Sequence, residues 1–149
     1  MHYSDQKRIE ELTAFLDQFP LELNDKRILE IGCGSGSLTQ LLRIKGAHVT
    51  AIELSPSLYK HKRVIDDVVD YDGKTIPFDD NCYDIVFSSQ VMQYIDPFDD
   101  FQDEIKRVLV HQGVSIHFLP TFSWRFWTWM TWHLECFKWP VFKTLFRRS

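Results

Sequence analysis

The sequence predicts an α/β fold: a doubly wound, mainly parallel sheet of about five strands with flanking helices, followed by an aromatic helical segment. Three observations predict it. Short apolar runs alternate with segments of helical periodicity, the signature of βαβ units. The apolar runs are nearly continuous, as in strands covered on both faces. A glycine-rich turn directly follows the first of them, and an acid closes the second.

Each element has a local reason. Ser4 can cap a first helix through its hydroxyl, and Asp5 suits the helix dipole. Lys7 stands where a capping box would want Glu or Gln. Ile9, Leu12, Leu16 and Phe19 then recur at helical spacing, so a helix is expected over 5–18, stopped by Pro20. Arg27–Ile31 reads as a buried strand bounded by Gly32. Ser37–Lys45 places Leu38, Leu41 and Leu42 on one helix face, with Gly46 at the C-terminal cap. His48–Ile52 is the second strand. Val68–Tyr71 is the third, with Val64–Ile65 a competing pair. Tyr83–Phe87 is the fourth. A helix over Asp99–Val110 carries Phe101, Ile105, Val108 and Leu109 on one face, and Val114–Leu119 is the fifth strand.

Composition narrows the class. The 149 residues, 44% hydrophobic and 26% charged, fit one soluble globular domain. No run reaches about 18 uninterrupted apolar residues, and no signal peptide is visible. Cys33, Cys82 and Cys136 are odd in number and widely spaced. That argues against a disulfide framework or a zinc knuckle and for a reducing, cytoplasmic setting. No metal site is expected. Residues 121–149 hold five bases and one acid, whereas the remainder holds 12 bases and 20 acids, giving +4 and −8 and the net −4 of the chain. An acidic body is a poor match for nucleic acid.

The chemistry concentrates in Glu30-Ile31-Gly32-Cys33-Gly34-Ser35-Gly36. Glycines let the chain turn tightly and let a ligand approach the backbone, and the next helix presents unpaired N–H groups. A nicotinamide-dependent oxidoreductase would want its third glycine at position 37, which is Ser37. Glu53, about 20 residues past the turn, stands where an acid binds a ribose diol.

These motifs together resemble the class I S-adenosylmethionine (SAM)-dependent methyltransferases, whose fold is Rossmann-like. Asp72-Gly73-Lys74-Thr75-Ile76-Pro77-Phe78 resembles the loop after that family's third strand. Tyr83–Val91 resembles its fourth strand, and Ile105–Leu109 with Gly113 the helix and turn before its fifth. The resemblance covers Arg27–Leu119. It implies that Gly32 and Gly34 face the methionine part of SAM, with Cys33 lending its backbone. Glu30 would hold the amino group or order the loop. Glu53 would bind the ribose hydroxyls, Leu54 would pack on adenine, and Asp72 (or Asp70) would accept from the adenine amine. Ser88 and Ser89 would line the floor near the methyl group.

The implied activity is SAM-dependent methyl transfer to a small or lipid-linked acceptor. The alternative is a shortened SAM-binding domain, inactive alone or acting as a subunit. Three departures stand out. Val110-His111-Gln112-Gly113 replaces the usual Lys-Pro-Gly-Gly turn. Gln93-Tyr94 replace a histidine pair after the fourth strand, leaving Tyr94 and His117 as candidate general bases. Nothing after Leu119 reads as the family's last two strands, which predicts an exposed edge at the fifth. The methyltransferase domain is expected over 1–120. Residues 121–149, which hold all five tryptophans, are expected to form an aromatic, basic helix in the same domain. That helix would serve as a cap, as a pocket wall, or through 122–146 as a self-association or peripheral membrane surface.

Overall fold

The structure is a computed structural model and describes residues 5–19 and 21–120. The proposed Ser4 cap, the Pro20 stop and the aromatic segment 121–149 lie outside the described residues. The elements run α1 (Asp5–Gln18), β1 (Arg27–Ile31), α2 (Ser37–Ile44), β2 (His48–Leu54), β3 (Val68–Tyr71), β4 (Tyr83–Ser89), α3 (Phe98–Val108) and β5 (Leu109–Phe118). Short 3-10 turns occupy Lys60–Lys62 and Met92–Tyr94. Among the described residues the five strands are all parallel, in the order β3-β2-β1-β4-β5.

Alternation along each strand explains the unbroken apolar runs. Ile28, Val49, Ile85 and Phe87 pack with Leu12 of α1 and with Leu38 and Leu42 of α2. Leu29, Ile31, Ile52 and Val86 point the other way, onto Phe101, Ile105 and Val108 of α3. Both faces are therefore covered and neither can be polar.

Three expectations are corrected. β2 and β4 run two residues past the apolar stretch, to Leu54 and Ser89, because main-chain pairing continues there: Glu53 lies opposite Asp70 and Ser89 opposite Phe118. The third helix ends at Val108, where Leu109 turns extended and pairs with Tyr83. The fifth strand accordingly begins at Leu109 instead of Val114. The expected Val110–Gly113 turn is an irregularity within it, with Gln112 at φ +68°. Among the described residues β5 forms one edge of the sheet.

No helix lies between β3 and β4. The connecting loop is pinned to α3 instead. Arg107 donates to the carbonyls of Ile76 (2.9 Å) and Phe78 (2.7 Å) and to Glu104 and Asp80, while Glu104 accepts from Ile76 N–H at 2.9 Å. Ile76 is thereby held in the core. No helix among the described residues is long and apolar enough to cross a membrane.

Candidate functional site

β1 and β2 end side by side, Ile31 opposite Ile52. The chain then turns over the sheet, with Gly32 and Cys33 N–H both donating to Ile52 carbonyl at 2.9 and 3.2 Å. Gly32 has φ +70°, and a Cβ there would stand 2.3 Å from a Val91 methyl, so the loop after β4 is packed directly on the turn. Gly34, at φ +59°, has more room. Its Cβ would meet Arg8 Nη1 at 3.4 Å and the Tyr59 ring at 3.8 Å. At Gly34 the demand for glycine is thus conformational.

The acid expected to face this turn does so. Glu53 Oε2 accepts from Gly34 N–H at 2.6 Å, and Oε1 accepts from Leu54 N–H at 3.2 Å. A carboxylate offers about four lone-pair sites, so capacity remains for further donors. Leu54 beside it is half exposed. Asp72 lies one strand further out, exposed. Its Oδ1 accepts from Thr75 and Lys74 N–H at 2.9 and 2.8 Å, which holds the carboxyl below its ordinary range. Asp70 is engaged by Arg63 at 3.3 Å.

Glu30 is fully buried between the sheet and α2. Oε2 accepts from the Thr39 hydroxyl, and Oε1 has no hydrogen-bond partner. Burial raises the carboxyl to about 7, against the opposing Thr39 bond and the Arg8 charge. An orphaned buried acceptor beneath a glycine turn needs a donor, and a ligand ammonium would be one. On that observation the residues present fit the methionine end of SAM. Cys33 is buried, and burial, with the Glu30 and Glu53 charges, pushes its thiol up to about 12. That leaves its backbone as the useful part.

Ser88 and Ser89 end β4 on opposite faces. Ser88 is buried, its hydroxyl 2.8 Å from His117 Nδ1. Ser89 receives Arg8, whose Nε lies 3.4 Å from the hydroxyl and whose Nη2 lies 3.3 Å from the carbonyl. Sequence reasoning missed Arg8, which reads as one more charge on the polar side of α1. It bridges the end of β4 and the glycine turn across about 80 residues of chain. Of the two candidate bases, Tyr94 is largely exposed and His117 half-buried on β5.

A separate open groove of about 500 Å³ lies at the amino ends of β1, β2 and β4, among Arg27, Arg43, His48 and Tyr83. Its arginines are taken by Asp84 and Asp67. Open α/β sheets bind ligands at the opposite end.

A family model described as "Methyltransferase domain" matches residues 29–117. The malonyl-[acyl-carrier protein] O-methyltransferase of Enterobacter lignolyticus (strain SCF1) is 32% identical over 91 residues, 59% of this chain and 36% of that protein. The ubiquinone biosynthesis O-methyltransferase of Xylella fastidiosa (strain 9a5c) is 50% identical over 42 residues, 28% of this chain and 17% of that one. The solved S-adenosylmethionine dependent methyltransferase from Mesorhizobium loti superposes with a TM-score of 0.60 at 18% identity, over 70% of this chain and 51% of its own. The chain thus spans about a third or less of these two curated relatives, and the superposition speaks to fold.

Proposed function

The chain belongs to the class I SAM-dependent methyltransferase family, and from that premise we propose that it holds SAM over Glu30–Gly36 for methyl transfer to a small or lipid-linked acceptor. SAM is the family's methyl donor; when bound it supplies an already activated methyl on a sulfonium, so placement can carry most of the acceleration. In this reading Gly32, Cys33 and Gly34 present backbone to the methionine end. Glu30 Oε1 accepts from its ammonium, and Arg8, whose Nη1 would lie 3.4 Å from a Cβ at Gly34, is a cation for its carboxylate. Glu53 takes the ribose hydroxyls with the capacity Gly34 leaves it, and Leu54 supplies an apolar wall for adenine. Asp72 has Oδ2 available for the adenine amine, whereas Asp70 is tied to Arg63. Ser88 lines the floor near the methyl group together with His117, whose Nδ1 lies 2.8 Å from the Ser88 hydroxyl.

The observation that carries this reading is the Glu53–Gly34 hydrogen bond, which joins the acid of β2 to the turn after β1. Calorimetric titration with S-adenosylhomocysteine should show binding. Glu53→Ala should weaken it by about 1.5–3 kcal/mol, the scale of hydrogen bonds to a charged group. Undiminished binding would remove Glu53 from the site, and preference for NAD would overturn the reading. A second reading, a SAM-binding module that needs further chain for catalysis, is favoured by the fraction of each relative that the chain spans. It predicts cofactor binding without methyl transfer.

A further inference from the structure

Ile52, Ile31, Ser88 and His117 stand in one row across β2, β1, β4 and β5. The row lies immediately below the point where β1 enters the glycine turn. At about 4.8 Å per strand, His117 is about 10 Å from that point. Ser88 and His117 project to the same face, because their neighbours Phe87, Ile116 and Phe118 pack on the other. Their side chains meet at 2.8 Å through Nδ1, Ser88 buried and His117 half-buried. One ring nitrogen is therefore anchored inside, and the other remains for a ligand.

Which proton arrangement is useful follows from the chemistry of imidazole. If the serine hydroxyl donates to Nδ1, Nε2 carries hydrogen and can only donate. If Nδ1–H donates to the serine oxygen, Nε2 has its lone pair. Only the second arrangement persists when Nε2 takes up a proton, since both nitrogens then donate. Burial lowers the imidazole's affinity for a proton, so the ring starts neutral.

We propose that His117, held through Nδ1 by Ser88, is the general base for an acceptor bearing a hydroxyl, a phenol or alcohol. The acceptor O–H bond breaks with its proton passing to Nε2. A C–O bond forms with the methyl group as the methyl–sulfonium bond breaks and its electron pair stays on sulfur. The base sets a hydroxyl acceptor apart from a carboxylate. A carboxylate is already ionised at neutral pH and needs none, whereas a phenol or alcohol must lose a proton. The proposal rests on Glu30–Gly36 being the cofactor site.

The test uses the whole chain and separates the two ideas. Titration with S-adenosylhomocysteine checks the cofactor site alone; His117→Asn should bind as wild type does, and failure of the wild type to bind sinks the cofactor reading. Nitrogen-15 NMR of the histidine rings should show His117 protonated at Nδ1 and bare at Nε2, with Ser88→Ala mixing the tautomers. The Nε2–H tautomer in the wild type overturns the proposal. With radiolabelled SAM, catechol and octanoate serve as probes. Catechol should be methylated in preference to octanoate, and His117→Asn should lower kcat on catechol by about 10²- to 10⁴-fold with KM for SAM unmoved. An undiminished rate in that variant, preference for octanoate, or methylation of neither by a chain that binds S-adenosylhomocysteine overturns it.

Discussion

Replacing Glu30 by Gln tests the electrostatics of the site through stability alone. The Glu30 carboxyl has no exposure, one hydroxyl donor and one oxygen without a partner. Burial raises it from 4.5 to about 7, with the Thr39 bond and the Arg8 charge pulling the other way and the Glu53 charge adding to the rise. The folded state therefore holds this proton more tightly than the unfolded chain does. The stabilisation is complete below pH 4.5 and is lost as pH rises through about 7. The interval corresponds to about 3 kcal/mol at about 1.4 kcal/mol per pH unit. Gln has nearly the same shape and cannot ionise. The stability of Glu30→Gln minus that of wild type should therefore grow by about 3 kcal/mol between pH 4.5 and pH 8. Urea denaturation at several pH values measures it. With a slope of about 1–3 kcal/mol/M, the midpoints should separate by about 1–3 M. Taking the difference at each pH cancels the other titrating groups and any fixed cost of the amide. A difference that does not change with pH would refute the reasoning, because Glu30 would then titrate in the fold as it does in water. A difference of opposite slope would mean that Arg8 outweighs burial.

Three further outcomes are expected. If the ligand ammonium meets Glu30, S-adenosylhomocysteine binding at pH 7 should release on the order of half a proton, since a group near 7 is about half protonated there; calorimetry in buffers of different ionisation enthalpy reads this, and zero release places the ammonium elsewhere. Gly34→Val should abolish that binding while circular dichroism stays native, at a cost of about 1–3 kcal/mol for a branched residue at φ +59°; normal binding would mean that the turn does not cradle the ligand. Arg107→Ala should lower stability by about 2–3 kcal/mol by freeing the Ile76 and Phe78 carbonyls and Glu104, and an unchanged urea midpoint would show that the loop between β3 and β4 holds without it.

Local pattern made much of this legible. α1 and β1 fall where periodicity and bounding residues place them, because one amphipathic stripe and one doubly buried run have few other solutions. The spacing of Glu53 from the glycine turn foretold their contact, since adjacent parallel strands of similar length end together. β5 was misread at its start. His111-Gln112-Gly113 carries turn chemistry, but the backbone of Leu109 finds its partner in Tyr83 before those residues are reached. Arg8 with Ser89, and Ser88 with His117, join positions 81 and 29 residues apart. No local pattern encodes such pairs; they follow from strand order, and β4 lies between β1 and β5 only once the crossovers are fixed. The motif shows that an acid opens the turn. It does not show that Thr39, one turn into α2, would be its donor.

The glycine turn is held from two directions at once: Glu53 at the end of β2 accepts from Gly34 N–H, and Val91 after β4 packs on Gly32. Each contact comes from a different part of the chain, so the assembled sheet fixes the shape that the turn's glycines permit. Two consequences follow for energetics. The left-handed residues of the turn can be kept in one arrangement before a ligand arrives, which reduces the ordering cost of binding. The buried Glu30 can be retained despite its destabilising ionisation, because the apolar core of Ile28, Leu38 and Leu42 does not depend on its charge. Cofactor affinity should therefore respond to changes just past the end of β4 that never touch the ligand. Val91→Ala, which leaves the methyl contact with Gly32 unfilled, should weaken S-adenosylhomocysteine binding more than it lowers the urea midpoint. Equal losses in both would mean that the turn is merely as stable as the rest of the fold and is not specifically held.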